Sequence, residues 1–337
     1  MEATLSKLYG GEDLSFEETR ELLGSIMAGG IEPEVIAGIL IALKVKGETP
    51  AEIGGAARAL QDAALPVKCE RRPLLDTCGT GGDGSGSINI STAAAIALAA
   101  AGVAIAKHGN RAISSKSGSA DVLEALGVKL DLEPASNEKL LDELGIAFLF
   151  APRYHHSMRE VMPVRQTLAT QTIFNLIGPL SNPALPSAQV LGVSREELLL
   201  PMAHALADMG LEHAFVVHGA GMDELCLHGT NRIVKLEGGK LFELDLAPAD
   251  LGVEPIDPVE LAGGDAMDNA SALLDILGGC DTGSRAMVVA INVGAGLILA
   301  GHEKGWSAAY ERGLDILASG AAEGLLKRWA EASRDLP

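Results

Sequence analysis

Residues 75–84 read LDTCGTGGDG and carry three glycines with the spacing G-x-G-x-x-G, at Gly79, Gly81 and Gly84. A short apolar run precedes this stretch, and an alanine-rich helical pattern follows it. A glycine-rich turn between a strand and a helix is typical of parallel α/β proteins that bind phosphate groups. The pattern therefore predicts an α/β fold, and it leaves open whether the ligand is a dinucleotide or another phosphate compound.

The dinucleotide interpretation requires an acidic residue after the second strand, about 20 residues further on, where it holds the ribose hydroxyls. Here the second candidate strand, 103–106, runs into Lys107, His108 and Arg111, which make that strand end cationic. The run NIST at residues 89–92 also separates the glycines from the helix, as a cluster of N-cap residues. Both features argue against a dinucleotide site.

The same residues fit a cradle for a polyphosphate. The glycines within 79–82 allow close approach of the backbone, Ser91 and Thr92 lie at a helix N-terminus, and Lys107 adds a positive charge. The following segment 111–121, RAISSKSGSAD, offers further hydroxyls at residues 115, 117 and 119. Asp83 is unusual beside phosphates and is expected to orient a sugar hydroxyl, to hold a metal through water, or to anchor the loop.

The chain divides into two compositional parts. Residues 1–66 show only helical patterns, with capping boxes at 15–18 and 49–52, and predict a small all-helical domain. Residues 73–337 alternate strand and helix patterns and predict a larger α/β domain with a mainly parallel central sheet. Segment 158–186 is again helical and is predicted to return to the N-terminal helices. The strand candidates are 74–78, 103–106, 147–150, 189–193, 214–217 and 287–291, with an appended hairpin at 233–235 and 241–244; helices are expected at 92–101 and 120–126.

Charge and composition exclude several classes of function. The formal net charge of −19 argues against nucleic acid and anionic membranes, which bind through basic surfaces. The longest apolar run, 93–106, is too short to span a bilayer, and no secretory signal pattern is visible at the N-terminus. The four cysteines have no metal-binding or disulfide spacing, so a reducing cytoplasmic compartment is predicted.

The motifs in combination resemble one enzyme family. The runs GTGGD, NIST, KHGNR, SSKSG and ADVLEALG between residues 79 and 127, followed by TIFNLIGPLSNP and MDEL, are similar to those of the anthranilate phosphoribosyltransferases, in order over nearly the whole chain. The resemblance implies a nucleoside phosphorylase/phosphoribosyltransferase-like fold, Mg²⁺ and a homodimer. It also implies transfer of phosphoribose from phosphoribosyl pyrophosphate (PRPP) to the amine of anthranilate, in tryptophan biosynthesis.

The resemblance also implies site residues. The predicted anthranilate contacts are Gly79, Asn110 and Arg165, and the predicted metal ligands are Asp223 and Glu224, assisted by Ser91. No general acid or base is assigned, and His108 is expected to form part of the wall of the substrate pocket. The predicted PRPP contacts are Gly79, Gly82, Asp83, Ser87, Asn89, Ile90, Ser91, Thr92, Lys107, Ser115 and Ser119.

Chemistry supports these residue types independently. When pyrophosphate leaves an anomeric carbon, negative charge develops on the leaving group, and Mg²⁺ and backbone amides stabilise it. Asp223 and Glu224 follow an apolar strand and a glycine turn, where two carboxylates suit Mg²⁺. The planar guanidinium of Arg165 matches the carboxylate of an aromatic acid.

Two segments depart from the family pattern on the predicted anthranilate side. Residues 168–172 read LATQT where the family usually has L-G-x-R-T, so Ala169 and Gln171 replace a glycine and a cation. Residues 155–158 read HHSM where a His-Pro-Ala run is more common, so His156 and Ser157 differ from the residues usual in the family. These departures are expected to affect entry of anthranilate more than binding of PRPP.

Two other functions compete with this interpretation. A pyrimidine nucleoside phosphorylase has a similar architecture but places other Lys, Ser and Arg residues around its base, and the KHGN and MDE runs argue against it. A relative that had become a nucleic-acid-binding protein would need basic patches, which a chain of net charge −19 does not favour.

Overall fold

The structure, a computed structural model, describes residues 1–112 and 116–337. Its first 62 residues form four helices: α1 (Glu2–Tyr9), α2 (Phe16–Met27), α3 (Pro33–Lys46) and α4 (Pro50–Asp62). Both predicted capping boxes are present, because Ser15 and Thr49 each accept a hydrogen bond from the backbone N–H three residues on, and Glu18 and Glu52 reciprocate.

The described part of the rest of the chain contains a seven-stranded sheet in the order β3-β2-β1-β4-β5-β6-β7. Strands β1 to β5 are parallel, and β6 and β7 continue the sheet in antiparallel fashion. The central sheet is thus mainly parallel, as predicted. The strands are β1 (Leu74–Gly79), β2 (Ala104–Gly109), β3 (Ile146–Phe150), β4 (Ala188–Gly192), β5 (His213–Gly219), β6 (Asn231–Glu237) and β7 (Lys240–Leu246).

Helices cover both faces of this sheet. Their bounds are α5 (Ile90–Ala100), α6 (Ser119–Ala125), α7 (Pro134–Leu144), α8 (Ala151–Tyr154), α9 (Met162–Leu168), α10 (Phe174–Ile177), α11 (Leu199–Asp208), α12 (Ala266–Leu277), α13 (Ser284–Leu299), α14 (Trp306–Ala318) and α15 (Ala321–Arg334). No helix among the described residues is long and apolar enough to cross a membrane.

Two hydrophobic clusters pack on opposite faces of the sheet. One cluster joins α5, α12, α13, α14 and α15 to one face. The other joins the four N-terminal helices and α11 to side chains such as Leu191 and Val216 on the opposite face. Val161, Val164 and Phe174 of the 158–186 segment belong to this second cluster, so that segment packs with the N-terminal helices.

Two sequence predictions need correction. The strand predicted at residues 287–291 lies inside helix α13, which is buried along most of its length, and a short buried apolar run has the same pattern in a helix and in a strand. The 231–246 hairpin is an integral edge of the central sheet and not an appendage. Its turn, Gly238-Gly239, has φ of 57° and 76°, as a two-residue hairpin turn of the favoured hand requires.

The strand order places a crevice over β1 and β4. The chain moves from β1 to β2 and β3 on one side, then crosses to β4 on the other side of β1. Ligands of open parallel sheets bind where the order reverses in this way, at the carboxyl ends of the strands. The LDTCGTGGDG stretch ends β1 at that point.

Candidate functional site

Four strands of the sheet end in glycine, and the glycines that end β1, β4 and β5 make room for the same loop. Gly79 of β1 and Gly192 of β4 are partners in the sheet register, and Gly219 ends β5. A Cβ on Gly79 would lie 2.3 Å from Asp223 Oδ2, and one on Gly192 would lie 1.6 Å from the backbone oxygen of Asp223. A Cβ on Gly219 would lie 2.1 Å from the backbone oxygen of Glu224.

Of these glycines, Gly79 was predicted as a site residue and Gly219 only as part of the turn before Asp223, whereas Gly192 was not predicted. The signal of Gly192 and Gly219 in the sequence is that each ends an apolar strand, in QVLG and VVHG. Glycines at the ends of neighbouring parallel strands indicate a closely approaching backbone, because the carboxyl ends of those strands share one edge of the sheet.

A tight turn presents Asp223 and Glu224 to this crevice. Gly219 and Met222 exchange backbone hydrogen bonds of 3.0 Å, and the intervening Ala220 and Gly221 have φ of 46° and 101°. His218 fixes the turn from outside, since its Nδ1 lies 2.8 Å from the Val193 carbonyl and its Nε2 accepts the N–H of Gly221 at 3.2 Å. In this arrangement Nδ1 of His218 donates to the carbonyl while Nε2 accepts.

Asp223 joins the turn to the glycine loop. Its Oδ2 accepts the Gly81 N–H at 2.6 Å, and its own N–H points to Asp83 Oδ2 at 3.3 Å. The other oxygen of Asp83 accepts the N–H and the hydroxyl of Ser85, each at 3.0 Å. Of the three roles considered for Asp83, these contacts support that of an anchor between the two loops.

Glu224 lies at the N-terminus of α5. Its Oε1 accepts the Ser91 N–H at 3.0 Å. The backbone amide that was expected to bind a phosphate is therefore bonded to a carboxylate of the protein. Lys107 is only 2% exposed, and its ammonium donates to the Thr77 carbonyl and to Ser91 Oγ. Lys107 is thus turned inward, where it balances the charge of Glu224.

Burial and mutual repulsion disfavour the ionised forms of the two carboxyl groups of the turn. Burial, reinforced by the charge of Asp83, raises the pKa of Asp223 to about 6. Burial and the charge of Asp223 raise the pKa of Glu224 to about 8, against the opposing effect of Lys107. A divalent cation would relieve this repulsion, and carboxylate oxygens are the ligands that Mg²⁺ prefers, so the donor set fits that ion.

The described residues do not include a group of three or more His, Cys, Asp or Glu side chains arranged to hold a metal. The two carboxylates Asp223 and Glu224 are enough for Mg²⁺, which is usually bound by one or two carboxylates and takes its remaining oxygens from phosphates and water.

Asn89 links the two predicted phosphate loops. Its Nδ2 donates to the Ser117 carbonyl at 3.2 Å, and its Oδ1 accepts from Asn269 of α12 at 2.8 Å. Asn269, 2% exposed, also accepts the Gly264 N–H at 2.8 Å. Asn269 was not foreseen, because a lone asparagine in a helical stretch 180 residues away carries no pattern.

The remaining predicted PRPP residues differ in accessibility. Gly82 is exposed, and Ser87 is half-buried and pairs with Ala262 in an isolated bridge. Ser119 begins α6 and donates to the Asn110 carbonyl at 3.4 Å. Ile90 and Thr92 are 1% exposed, and the Ile90 N–H bonds the Ile88 carbonyl, so neither side chain faces the cleft. Ser115 lies outside the described residues.

A buried acidic residue of the opening stretch, Asp76, organises the strand ends from below. It accepts the His108 N–H at 3.2 Å and the Asn182 amide at 2.9 Å, and Asn182 also donates to the Ala106 carbonyl at 2.8 Å. Burial raises the Asp76 pKa to about 6. Asp76 therefore ties β1, β2 and the 178–183 segment together beneath the site.

His108, which was predicted to form part of the pocket wall, is paired with His155. Nε2 of His108 and Nε2 of His155 are 3.1 Å apart, and the rings meet edge to face. Burial lowers the pKa of His155 to about 4, and burial together with His155 holds the pKa of His108 well below its usual value. Both rings are therefore neutral at neutral pH, and the place of His108 in the pocket wall stays a prediction.

Arg165, on α9, has an unusual environment for an arginine. It is half-buried, its guanidinium lies 5.6 Å from the centre of the Phe174 ring, and one Nη lies 3.5 Å from Asn175 Oδ1. Burial lowers its pKa, and no carboxylate from the described ranges pairs with it. A half-buried guanidinium without an anionic partner is suited to bind a carboxylate ligand.

The family departure at Ala169 has a structural consequence. Ala169 caps the end of α9 in the left-handed conformation, with φ of 48°, and is exposed. The backbone has therefore kept the conformation that favours a glycine at this position. Gln171 and His156 are exposed and Ser157 is half-buried.

Replacing Ala169 with glycine is expected to raise the free energy of unfolding by roughly 0.5–1 kcal/mol, because relief of the left-handed strain exceeds the entropic cost of a glycine. Ala28 provides a matched control, since it is also exposed and caps α2 with a right-handed φ of −74°. Ala28→Gly should lower stability. Chemical denaturation measures both effects, and a loss of stability in both variants contradicts the prediction.

Comparison with known proteins agrees with this two-part fold. A profile of the glycosyl transferase family helical bundle domain matches residues 3–64, and the profile of its a/b domain matches residues 71–323. An anthranilate phosphoribosyltransferase of Aeromonas hydrophila is 45% identical over 98% of this chain and 96% of its own length.

Solved structures are similar as well. The anthranilate phosphoribosyltransferase of Thermus thermophilus matches with a TM-score of 0.93 and 46% identity, over 98% of this chain and 99% of that one. The Saccharomyces cerevisiae enzyme in complex with PRPP and Mg matches with a TM-score of 0.89 and 26% identity, over 99% and 98% of the two chains. The same yeast enzyme has also been solved in complex with 4-fluoroanthranilate.

Proposed function

This chain belongs to the anthranilate phosphoribosyltransferase family, and we propose that the crevice over β1 and β4 transfers the phosphoribosyl group of PRPP to the amine of anthranilate. This is a reaction of tryptophan biosynthesis. The amine nitrogen forms a bond to the anomeric carbon, the bond from that carbon to the pyrophosphate oxygen breaks, and pyrophosphate leaves with the electron pair. The amine loses one proton. The observation that carries the proposal is the meeting of the Asp223-Glu224 turn with the glycine loop of β1.

Asp223 and Glu224, with the hydroxyl of Ser91, are the residues that would hold Mg²⁺. When bound, Mg²⁺ neutralises charge on the diphosphate. Lys107 donates a hydrogen bond to Ser91 Oγ, and its positive charge favours the ionised form of Glu224. A direct contact of Lys107 with a phosphate stays a prediction. In the structure the Lys107 ammonium instead donates to the Thr77 carbonyl and to Ser91 Oγ.

The glycine loop and the loop after β2 are proposed to bind PRPP from two sides. Gly79 and Gly82 bring the backbone of the first loop close to the ligand, and Ser119 begins α6 on the second loop. Asn89 joins the two loops through the Ser117 carbonyl, and Asn269 holds the Asn89 side chain in place. Support comes from the hydrogen bonds that join these loops to each other and to the Asp223 turn.

Arg165 is proposed to bind the carboxylate of anthranilate, with Asn110 and Gly79 as further contacts of that substrate. The uncharged His108–His155 pair is proposed to offer a flat wall to the aromatic ring. No residue is assigned as a general base, because an aromatic amine attacking an oxocarbenium-like carbon needs little prior deprotonation.

A homodimer and a cytoplasmic location are part of the proposal. Tyr9 and Val45, on α1 and α3, are 54% and 79% exposed, and exposed apolar side chains on the N-terminal helices suit a contact between copies. Light scattering of the purified protein measures this, and a monomer mass contradicts it. The four cysteines are free thiols, which suits a reducing compartment.

The decisive experiment follows the fluorescence of anthranilate while PRPP and Mg²⁺ are added. We expect loss of the signal only when all three components and the protein are present. An unchanged signal contradicts the proposal. Incubation with a pyrimidine nucleoside and phosphate is the control for the rival function and should release no free base.

A further inference from the structure

The two residues that follow the Asp223-Glu224 pair are held by asparagine side chains. Leu225 donates its N–H to Asn292 Oδ1 at 3.2 Å and accepts from Asn292 Nδ2 at 2.9 Å. Cys226 donates its N–H to Asn231 Oδ1 at 2.7 Å and accepts from Asn231 Nδ2 at 2.9 Å. Each asparagine thus pairs with both backbone groups of one residue.

These hydrogen bonds satisfy backbone groups that would otherwise be buried without a partner. Leu225 and Cys226 are fully buried, yet they lie between β5 and β6 and outside any strand, so no neighbouring strand pairs with their backbone groups. A buried backbone N–H or carbonyl without a partner is costly. A primary amide offers one donor and one acceptor side by side, as a neighbouring strand does, and so replaces the missing strand.

Both asparagines are rigidly placed. Asn292 is 2% exposed in the middle of α13, and its Nδ2 also donates to the Val288 carbonyl of the same helix at 2.9 Å. Asn231 is fully buried at the start of β6, and its Nδ2 also donates to the Leu246 carbonyl of β7 at 3.0 Å. The core of the α/β domain therefore fixes the backbone immediately after the two carboxylates.

We propose that Asn231 and Asn292 are positioning residues that hold the Asp223-Glu224 carboxylates in the geometry required to bind the metal ion of the PRPP complex. The inference rests on the proposed function of that pair. The Gly219–Met222 turn fixes the chain before the carboxylates, and the asparagines fix it after them. Mg²⁺ demands a nearly ideal octahedron, so small displacements of its ligands weaken binding.

The test compares Asn292→Ala and Asn231→Ala with Asn137→Ala. Asn137 is a suitable control because it is also fully buried and donates to the Tyr154 hydroxyl at 2.6 Å, on α7, apart from the metal turn. Binding of Mn²⁺ in the presence of PRPP is measured by electron paramagnetic resonance, and thermal unfolding is measured on the same samples. Steady-state kinetics supply a second readout, KM for each substrate.

We expect Asn292→Ala and Asn231→Ala to weaken Mn²⁺ binding roughly 10-fold, the usual effect of removing a residue that orients a metal ligand. The KM for PRPP should rise, and the KM for anthranilate should change little. Asn137→Ala should lower the unfolding temperature comparably and leave Mn²⁺ binding unchanged. Equal Mn²⁺ affinity in all three folded variants and the unsubstituted protein overturns the proposal.

If an alanine variant does not fold, Asn292→Ser and Asn231→Ser replace it, because a hydroxyl can serve one of the two backbone groups. These variants should show a smaller loss of Mn²⁺ affinity in the same direction, and no loss in the folded serine variants overturns the proposal. Failure of the proposed function is recognised separately, since the unsubstituted protein would then not consume anthranilate with PRPP.

Discussion

Replacing Gly79 with alanine is expected to lower kcat/KM by roughly 100-fold, the effect of misplacing a group in the site by about 1 Å. The added Cβ would lie 2.3 Å from Asp223 Oδ2, far inside van der Waals contact, so the carboxylate must move. The same movement weakens the 2.6 Å hydrogen bond from the Gly81 N–H. Kinetics at several Mg²⁺ concentrations measure the effect, and we expect a higher Mg²⁺ requirement in the variant.

The control for this substitution is Gly305→Ala. A Cβ on Gly305 meets nothing within 4 Å, and Gly305 precedes α14, far along the chain from the site. Gly305→Ala should keep full activity and the same Mg²⁺ dependence. Circular dichroism should show that both variants are folded. Full activity of folded Gly79→Ala contradicts the role given to the Gly79–Asp223 contact.

A double-mutant cycle tests whether Gly79 acts through Asp223. Asp223→Asn removes the negative charge while keeping a side chain of similar size. If the damage from Gly79→Ala comes from moving the carboxylate, adding it to Asp223→Asn should cost much less than it costs alone. Multiplicative losses would instead show that Gly79 contributes by an independent contact, such as close approach of its backbone to PRPP.

The local parts of the structure could be predicted from the sequence. The capping boxes at Ser15 and Thr49 depend on residues three apart, so they are visible in the sequence and are confirmed. The glycine loop and the Asp223-Glu224 turn each follow an apolar strand, and the topology of parallel sheets brings such strand ends together. The α/β class and the mainly parallel sheet follow from the same alternation.

The features that could not be predicted from the sequence depend on contacts between distant segments of the chain. Helix α13 is buried so completely that residues 287–291 lack the polar face that would have identified a helix. The link from Asp83 to the Asp223 N–H spans 140 residues, and the inward turn of Lys107 depends on the Thr77 carbonyl of another strand. Asn231 and Asn292 look like ordinary polar residues until the unpaired backbone of Leu225 and Cys226 is placed beside them. The domain limits at residues 66 and 73 stay a prediction.

Replacing Arg165 with alanine is expected to lower kcat/KM for anthranilate roughly 10- to 100-fold, as hydrogen bonds to a charged group worth about 1.5–3 kcal/mol are lost. Binding of PRPP should change little, because the contacts of Arg165 are with Met162, Phe174 and Asn175 and not with the glycine loop. Isothermal titration calorimetry with PRPP and steady-state kinetics with anthranilate measure the two effects separately.

Arg159 supplies the matched control for this prediction. It lies in the same segment, but its side chain is 80% exposed and pairs with Glu160 at 2.9 Å, so Arg159→Ala should have little effect on either substrate. Aniline, which lacks the carboxylate, is the matched substrate: Arg165→Ala and the unsubstituted protein should use it equally poorly. If Arg165→Ala instead impaired the use of aniline and of anthranilate by the same factor, Arg165 would act on the shape of the pocket. Loss of a guanidinium that binds the carboxylate can impair only a substrate that carries a carboxylate.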